Sequence, residues 1–166
     1  MNKKAIICCL IALCILIVGI FYIDNLYKPQ SQLPSINSNL ESGNTKYNEA
    51  VGYINNENYE KATQSIDESL TNYNKAKNDT QIALNKSINR NDTVLTQYFN
   101  YTLDELDMKI NAANEMKNGL ALINPNDYSL SKEHFNKSNE IMQNTTQYND
   151  KREELENQNP DKFTEK

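Results

Sequence analysis

His134 is the chain's single histidine, and it stands between Glu133 and Phe135. A zinc site, a general base or a Ser-His-Asp nucleophile would each have to recruit it. None of them finds its other parts. There is no HExxH spacing, and no cysteine lies beyond residue 14. There is no Gly-x-Ser-x-Gly turn to carry a nucleophile, and the isolated Gly43, Gly52 and Gly119 make no phosphate loop. Carboxylates gather at Asp104, Glu105 and Asp107 and again at Glu153, Glu154 and Glu156. A pair of these could serve a glycosidase, but on a polar helix face such runs are solvated charge, and that is how they are read. No D-x-D-x-D-G calcium loop occurs. The sequence therefore points away from an enzyme and implies no cofactor, metal or catalytic residue. From residue 24 onward, 15 basic side chains face 22 acidic ones, a net charge of −7 that disfavours nucleic acid as a partner. The remaining chemistry is modification. Asn78, Asn85, Asn91, Asn100, Asn136 and Asn144 each begin an N-x-S/T sequon and are candidate N-glycosylation acceptors.

The elements that hold these residues begin with a membrane segment. Residues 5–23, AIICCLIALCILIVGIFYI, form a 19-residue run without a charge. As a helix the run spans roughly 28 Å, about the thickness of a bilayer's hydrocarbon core. Lys3 and Lys4 precede it and Asp24 follows, so the positive-inside rule keeps residues 1–4 cytoplasmic and sends the rest outside. The rival is a cleaved signal peptide, which would have a shorter apolar region and a small-residue cleavage site. The uncleaved signal anchor is the preferred reading. Cys8, Cys9 and Cys14 all lie within the segment, leaving the exported part without a disulfide. They are read as small apolar side chains in lipid, with palmitoylation of Cys8 or Cys9 the alternative.

Residues 24–37 read as a linker, with Pro29 and Pro34 restraining the backbone. Residues 38–158 read as an extracytoplasmic helical domain and 159–166 as a disordered tail. No glycine or proline interrupts residues 53–118. Tyr59, Ala62, Ile66, Ser69, Tyr73, Ala76, Thr80 and Ala83 follow spacings of three and four, the seam of a helix against a partner. Leu95, Phe99, Thr102, Leu106, Ile110, Ala113, Met116, Leu120 and Ile123 make a second stripe. Tyr128, Ser131, Phe135, Ser138 and Met142 begin a third, which continues toward Tyr148 and Leu155. Strand signals are scarce, so the expected fold class is all-α: one transmembrane helix followed by about four antiparallel helices near 39–54, 57–88, 93–123 and 127–157. Asp92 is the expected N-cap of the third.

INNENY at 54–59 and INPNDY at 123–128 lie 69 residues apart, and around them large residues align with large and small with small. Ala50, Tyr53, Ala62, Ile66 and Ser69, and again Gly119, Leu122, Ser131, Phe135 and Ser138, have a spacing that resembles a tetratricopeptide helical hairpin. The family's early aromatic and closing proline are absent. The resemblance implies a helical scaffold that binds a protein or peptide, without catalysis. The lysine- and asparagine-rich, anchored composition resembles that of small cell-surface proteins of AT-rich prokaryotes such as methanogenic archaea. The expected function is thus a single-pass, membrane-anchored interaction or scaffold module with a protein partner. The alternatives are a ligand-sensing helical bundle working with a separate signalling partner, and a structural cell-envelope spacer.

Overall fold

A computed structural model describes residues 28–124 and 126–163. A 3-10 turn at Pro29–Gln32 leads into α1 (Leu33–Asn55), α2 (Tyr59–Asn89), α3 (Thr93–Ala121), α4 (Ser129–Asn144) and α5 (Thr146–Gln158), and a second 3-10 turn, Pro160–Lys162, follows. No β-strand occurs among the described residues. α1 packs along α2, α2 along α3, and α3 along both α4 and α5, giving an all-α antiparallel array. The apolar segment 5–23 lies outside the described residues. Among those described, no helix is long and apolar enough to cross a membrane.

The first two turns are built alike. Glu57 and Asn91 take left-handed φ values of 56° and 52°. Behind them the Asn58 N–H donates to the Tyr53 carbonyl and the Asp92 N–H to the Ser87 carbonyl, closing each helix with a Schellman-type bond. The same two residues then cap the next helix. The Asn58 side chain accepts from the Lys61 N–H, and the Asp92 carboxylate accepts from the Leu95 N–H at 3.1 Å. Burial pushes Asp92 upward, but the Lys162 ammonium and the Leu95 N–H outweigh it, so its carboxyl lies below the ordinary value.

The three stripes fill two apolar cores. One joins Tyr47, Ala50, Ala62, Ile66, Tyr73, Leu106, Ala113 and Met116. The other joins Ile36, Ala83, Leu84, Leu95, Tyr98 and Phe99, with Leu33, Leu155 and Phe163 against it. Glycine matters where helices close in. A Cβ on Gly43 would sit 2.4 Å from a carbon of the Tyr73 ring, and one on Gly119 2.5 Å from the Phe135 ring. Around Gly52 nothing lies within 4 Å. Gly52→Ala is therefore expected to stabilise by about 0.5–1 kcal/mol through helix propensity. Gly43→Ala should instead cost about 1–3 kcal/mol net, because the fully buried Tyr73 ring cannot step aside. Urea denaturation of residues 28–163 distinguishes them; equal gains from both substitutions would show that the α1–α2 contact is looser than described.

Three boundaries differ from the sequence reading. α1 begins at Leu33, inside the stretch expected to be linker, and Pro29 is buried. Proline is compatible with a first helical turn, where its missing N–H costs nothing, so Pro29 and Pro34 open helical structure rather than interrupt it. Residues 159–163 are ordered: the Gln30 side chain donates to the Lys162 carbonyl at 3.1 Å, and Phe163 packs 4.9 Å from the Tyr98 ring. The helix expected over 127–157 is two helices. At the joint, the Thr145 hydroxyl donates to Met142 O and the Thr146 hydroxyl to Gln143 O, each three residues back, tightening the turn there.

Candidate functional site

The 69-residue offset reappears as matched contacts. The buried Ser69 hydroxyl donates to the Gly43 carbonyl at 2.8 Å, and Ser138, 69 residues on, donates to the carbonyl of Ala112 at 2.7 Å. The ion pair Lys46–Glu68 (3.0 Å) has its counterpart in Glu115–Lys137 (2.7 Å), with the charges exchanged. Hairpin α1–α2 and hairpin α3–α4 therefore use the same interhelical links. They are also joined to each other. Because Ser138 spends its proton on Ala112, the Tyr47 hydroxyl donates to Ser138 at 2.7 Å, tying α1 to α4. Burial raises the Tyr47 phenol, and the Ser138 hydroxyl only partly offsets it.

Where the cores meet along α3 lies a charged cluster. Glu105 Oε2 is 2.6 Å from Arg152 Nη2, and Glu105 Oε1 is 3.5 Å from Lys109 Nζ. All three side chains are at least nine-tenths buried. Lys109 also donates to Asn44 Oδ1, which receives the Tyr73 hydroxyl as well. Arg152 reaches Asn149 Oδ1 and stacks over the Tyr98 ring. One carboxylate thus faces two cations. The close Glu105–Arg152 contact is misaligned for a hydrogen bond, and Arg152 Nε–H is buried without an acceptor. Desolvation pulls the Lys109 ammonium below its ordinary value, against the pull of Glu105. The cluster clamps α3 to α5.

His134 has a structural partner. Its Nδ1 lies 2.7 Å from Glu115 Oε2, and Lys137 holds the other oxygen. Lys137, and then His134, keep the Glu115 carboxyl below its usual range. Of the carboxylates grouped in sequence, Asp104, Asp107, Glu153 and Glu154 are exposed, Glu156 is half-buried, and Glu105 is buried. The solvated reading therefore fails at that one residue. Its partner Arg152 sits in the third stripe, between Tyr148 and Leu155, and that spacing was the available signal. Among the described residues no group of three or more His, Cys, Asp or Glu is placed to hold a metal ion. A trough of about 810 Å³, open to solvent, runs along α2 past the polar residues Glu60, Thr63, Gln64, Asp67 and Thr71.

The six sequons divide sharply. All six asparagines are exposed. In a helix the residue two positions on points about 200° away, and at Asn78, Asn85, Asn100 and Asn136 that residue is a buried hydroxyl: Thr80, Ser87, Thr102 or Ser138. Only Asn91, in the α2–α3 turn, and Asn144, at the joint between α4 and α5, are followed by exposed hydroxyls, those of Thr93 and Thr146. The folded chain thus presents two complete acceptors.

The two ends of the array differ. The turns 56–58 and 122–128 lie together at one end, where the Tyr128 hydroxyl beside Tyr59 raises the Tyr59 phenol. Leu122, Tyr128 and Leu130 are exposed there by 42, 46 and 57 %. The other end holds Lys28, the α2–α3 turn and Phe163. No protein-family model, curated protein or solved structure matches the chain.

Proposed function

We propose that the chain is a membrane-anchored, extracytoplasmic interaction module, with residues 5–23 as its anchor and a paired, tetratricopeptide-like hairpin array as its scaffold. The observation that carries this is the end far from residue 28. Three large apolar side chains, Leu122, Tyr128 and Leu130, are exposed within nine residues of one another, at the tip an anchored bundle would hold out to a partner. The other large apolar side chains exposed among the described residues, Ile82 and Ile88, lie apart on α2, and clustered apolar surface marks a protein contact.

Photocrosslinking in intact cells tests it. A benzophenone side chain at position 130 or 122 should give one discrete higher-mass adduct, and the same group at Thr63 on α2 should give none. Equal labelling at all three positions, or none at any, would favour the structural spacer instead.

A further inference from the structure

Among the described residues, the segments at the end of the bundle nearest residue 28 carry the opposite net charge from the rest. Three segments form it: 28–31, 86–93 and 159–163. They hold four basic side chains, Lys28, Lys86, Arg90 and Lys162, against two acidic ones, Asp92 and Asp161. Asp92 is already engaged, with Lys162 at 2.6 Å. The remainder of 28–163 has ten basic against eighteen acidic side chains. Charge is thus segregated, with +2 at one end of a body otherwise at −8. Ile88 stands among these cations with half its surface exposed.

This end is also where the chain leaves toward residues 1–27. Pro29 is buried and Gln30 is tied to Lys162, so among the described residues the folded body begins at residue 28. If the apolar run ends at Ile23, the five steps to Lys28 reach at most about 18 Å. The basic end therefore cannot leave the neighbourhood of the surface in which the run is embedded. That reach includes the first Debye length from the surface, about 10 Å, within which the net positive charge of this end is drawn to negative headgroups.

We infer that this end of the bundle rests on anionic lipid headgroups, with Ile88 touching the interface and the α3–α4 turn pointing away. The inference depends on residues 5–23 being a membrane span. α3 alone is about 44 Å long, so the exposed tip at Leu130 is carried well clear of the lipid.

The test uses the full chain in vesicles containing headgroup-quencher lipid. Cys8, Cys9 and Cys14 are replaced by alanine, and a fluorophore is attached through Ile88→Cys or, separately, Leu130→Cys. In vesicles with phosphatidylglycerol, quenching at position 88 should exceed that at 130 by about threefold or more. It should fall toward the level at 130 in pure phosphatidylcholine, in high salt, or with Lys28→Glu and Arg90→Glu. The salt and lipid arms need no charge variant, so misfolding of the double substitution cannot decide the result. Equal quenching at the two positions in a chain that resists carbonate extraction overturns the docking while leaving the anchor intact. So does quenching at 88 that is indifferent to lipid charge and salt. A chain that carbonate strips from the vesicles overturns the anchor itself, and the docking with it.

Discussion

Glu105→Ala is expected to destabilise the bundle by about 3–5 kcal/mol, lowering the thermal midpoint by about 10–20 °C. The magnitude follows from what the substitution leaves behind. Lys109 and Arg152 would remain in the interior, 7–8 % exposed at their side chains, with no anion to compensate them. Arg152→Met should cost less, because Glu105 keeps Lys109 as a counter-charge. Replacing all three together, Glu105→Leu, Lys109→Met and Arg152→Leu, should come within about 1 kcal/mol of the parent or exceed it. The reason is that a desolvated cluster with an unsatisfied Arg152 Nε–H contributes little net stability. Urea titrations of residues 28–163 followed by far-UV dichroism give all four values. A triple variant as unstable as Glu105→Ala would mean that the cluster supports the fold by more than charge balance.

A second large effect is expected in alkali. Burial raises the phenols of Tyr47, Tyr73 and Tyr98, and Tyr98 is pushed up to about 12. The unfolded chain ionises these groups near their ordinary value of about 10, while the folded chain still holds the protons. Between those values the folded state binds more protons, so stability is complete below about pH 10 and falls as the pH rises. Tyr98 alone accounts for about 2–3 kcal/mol by pH 12. Lys109 acts with the opposite sign just below its ordinary value, since its folded state sheds a proton early. One lysine offsets only part of three tyrosines. The part of the tyrosinate absorbance that comes from these three buried phenols should change together with the ellipticity in one cooperative step above pH 10. Tyr98→Phe should move that step to higher pH while costing at most about 1 kcal/mol at neutrality. A tyrosinate signal that reaches its full amplitude with ellipticity unchanged would show that the buried phenols reach solvent without unfolding.

The helices were legible because their signal is local. From Ala62 to Ala83 the first stripe has every member buried, and Asp92 caps α3 as its type and position suggest. The 69-residue offset was legible as a pattern of sizes, though not as the Ser69 and Ser138 bonds that realise it. The charged interior was hidden because its members are far apart: Arg152 meets Glu105 from 47 residues away, and a run such as Asp104–Asp107 looks the same whether or not one member turns inward. Proline misled at residues 29–34 because its restraint suits a linker and a helix start equally. The sequons show a related limit. Three adjacent residues specify the acceptor, but the helix decides whether its two halves face the same side.

The meeting of residues 28–30 and 162–163 at one end of the bundle has a mechanical consequence. Force applied between residues 28 and 163 would act first on the Gln30–Lys162 bond and the Phe163 contact. It would then open the hairpins one after another, as a zipper opens. Force applied between residue 28 and the α3–α4 turn would load the interfaces of α1 through α3 along their lengths, in shear. A module of this shape is compliant when its own ends are pulled apart, and stiff when a partner pulls on its tip.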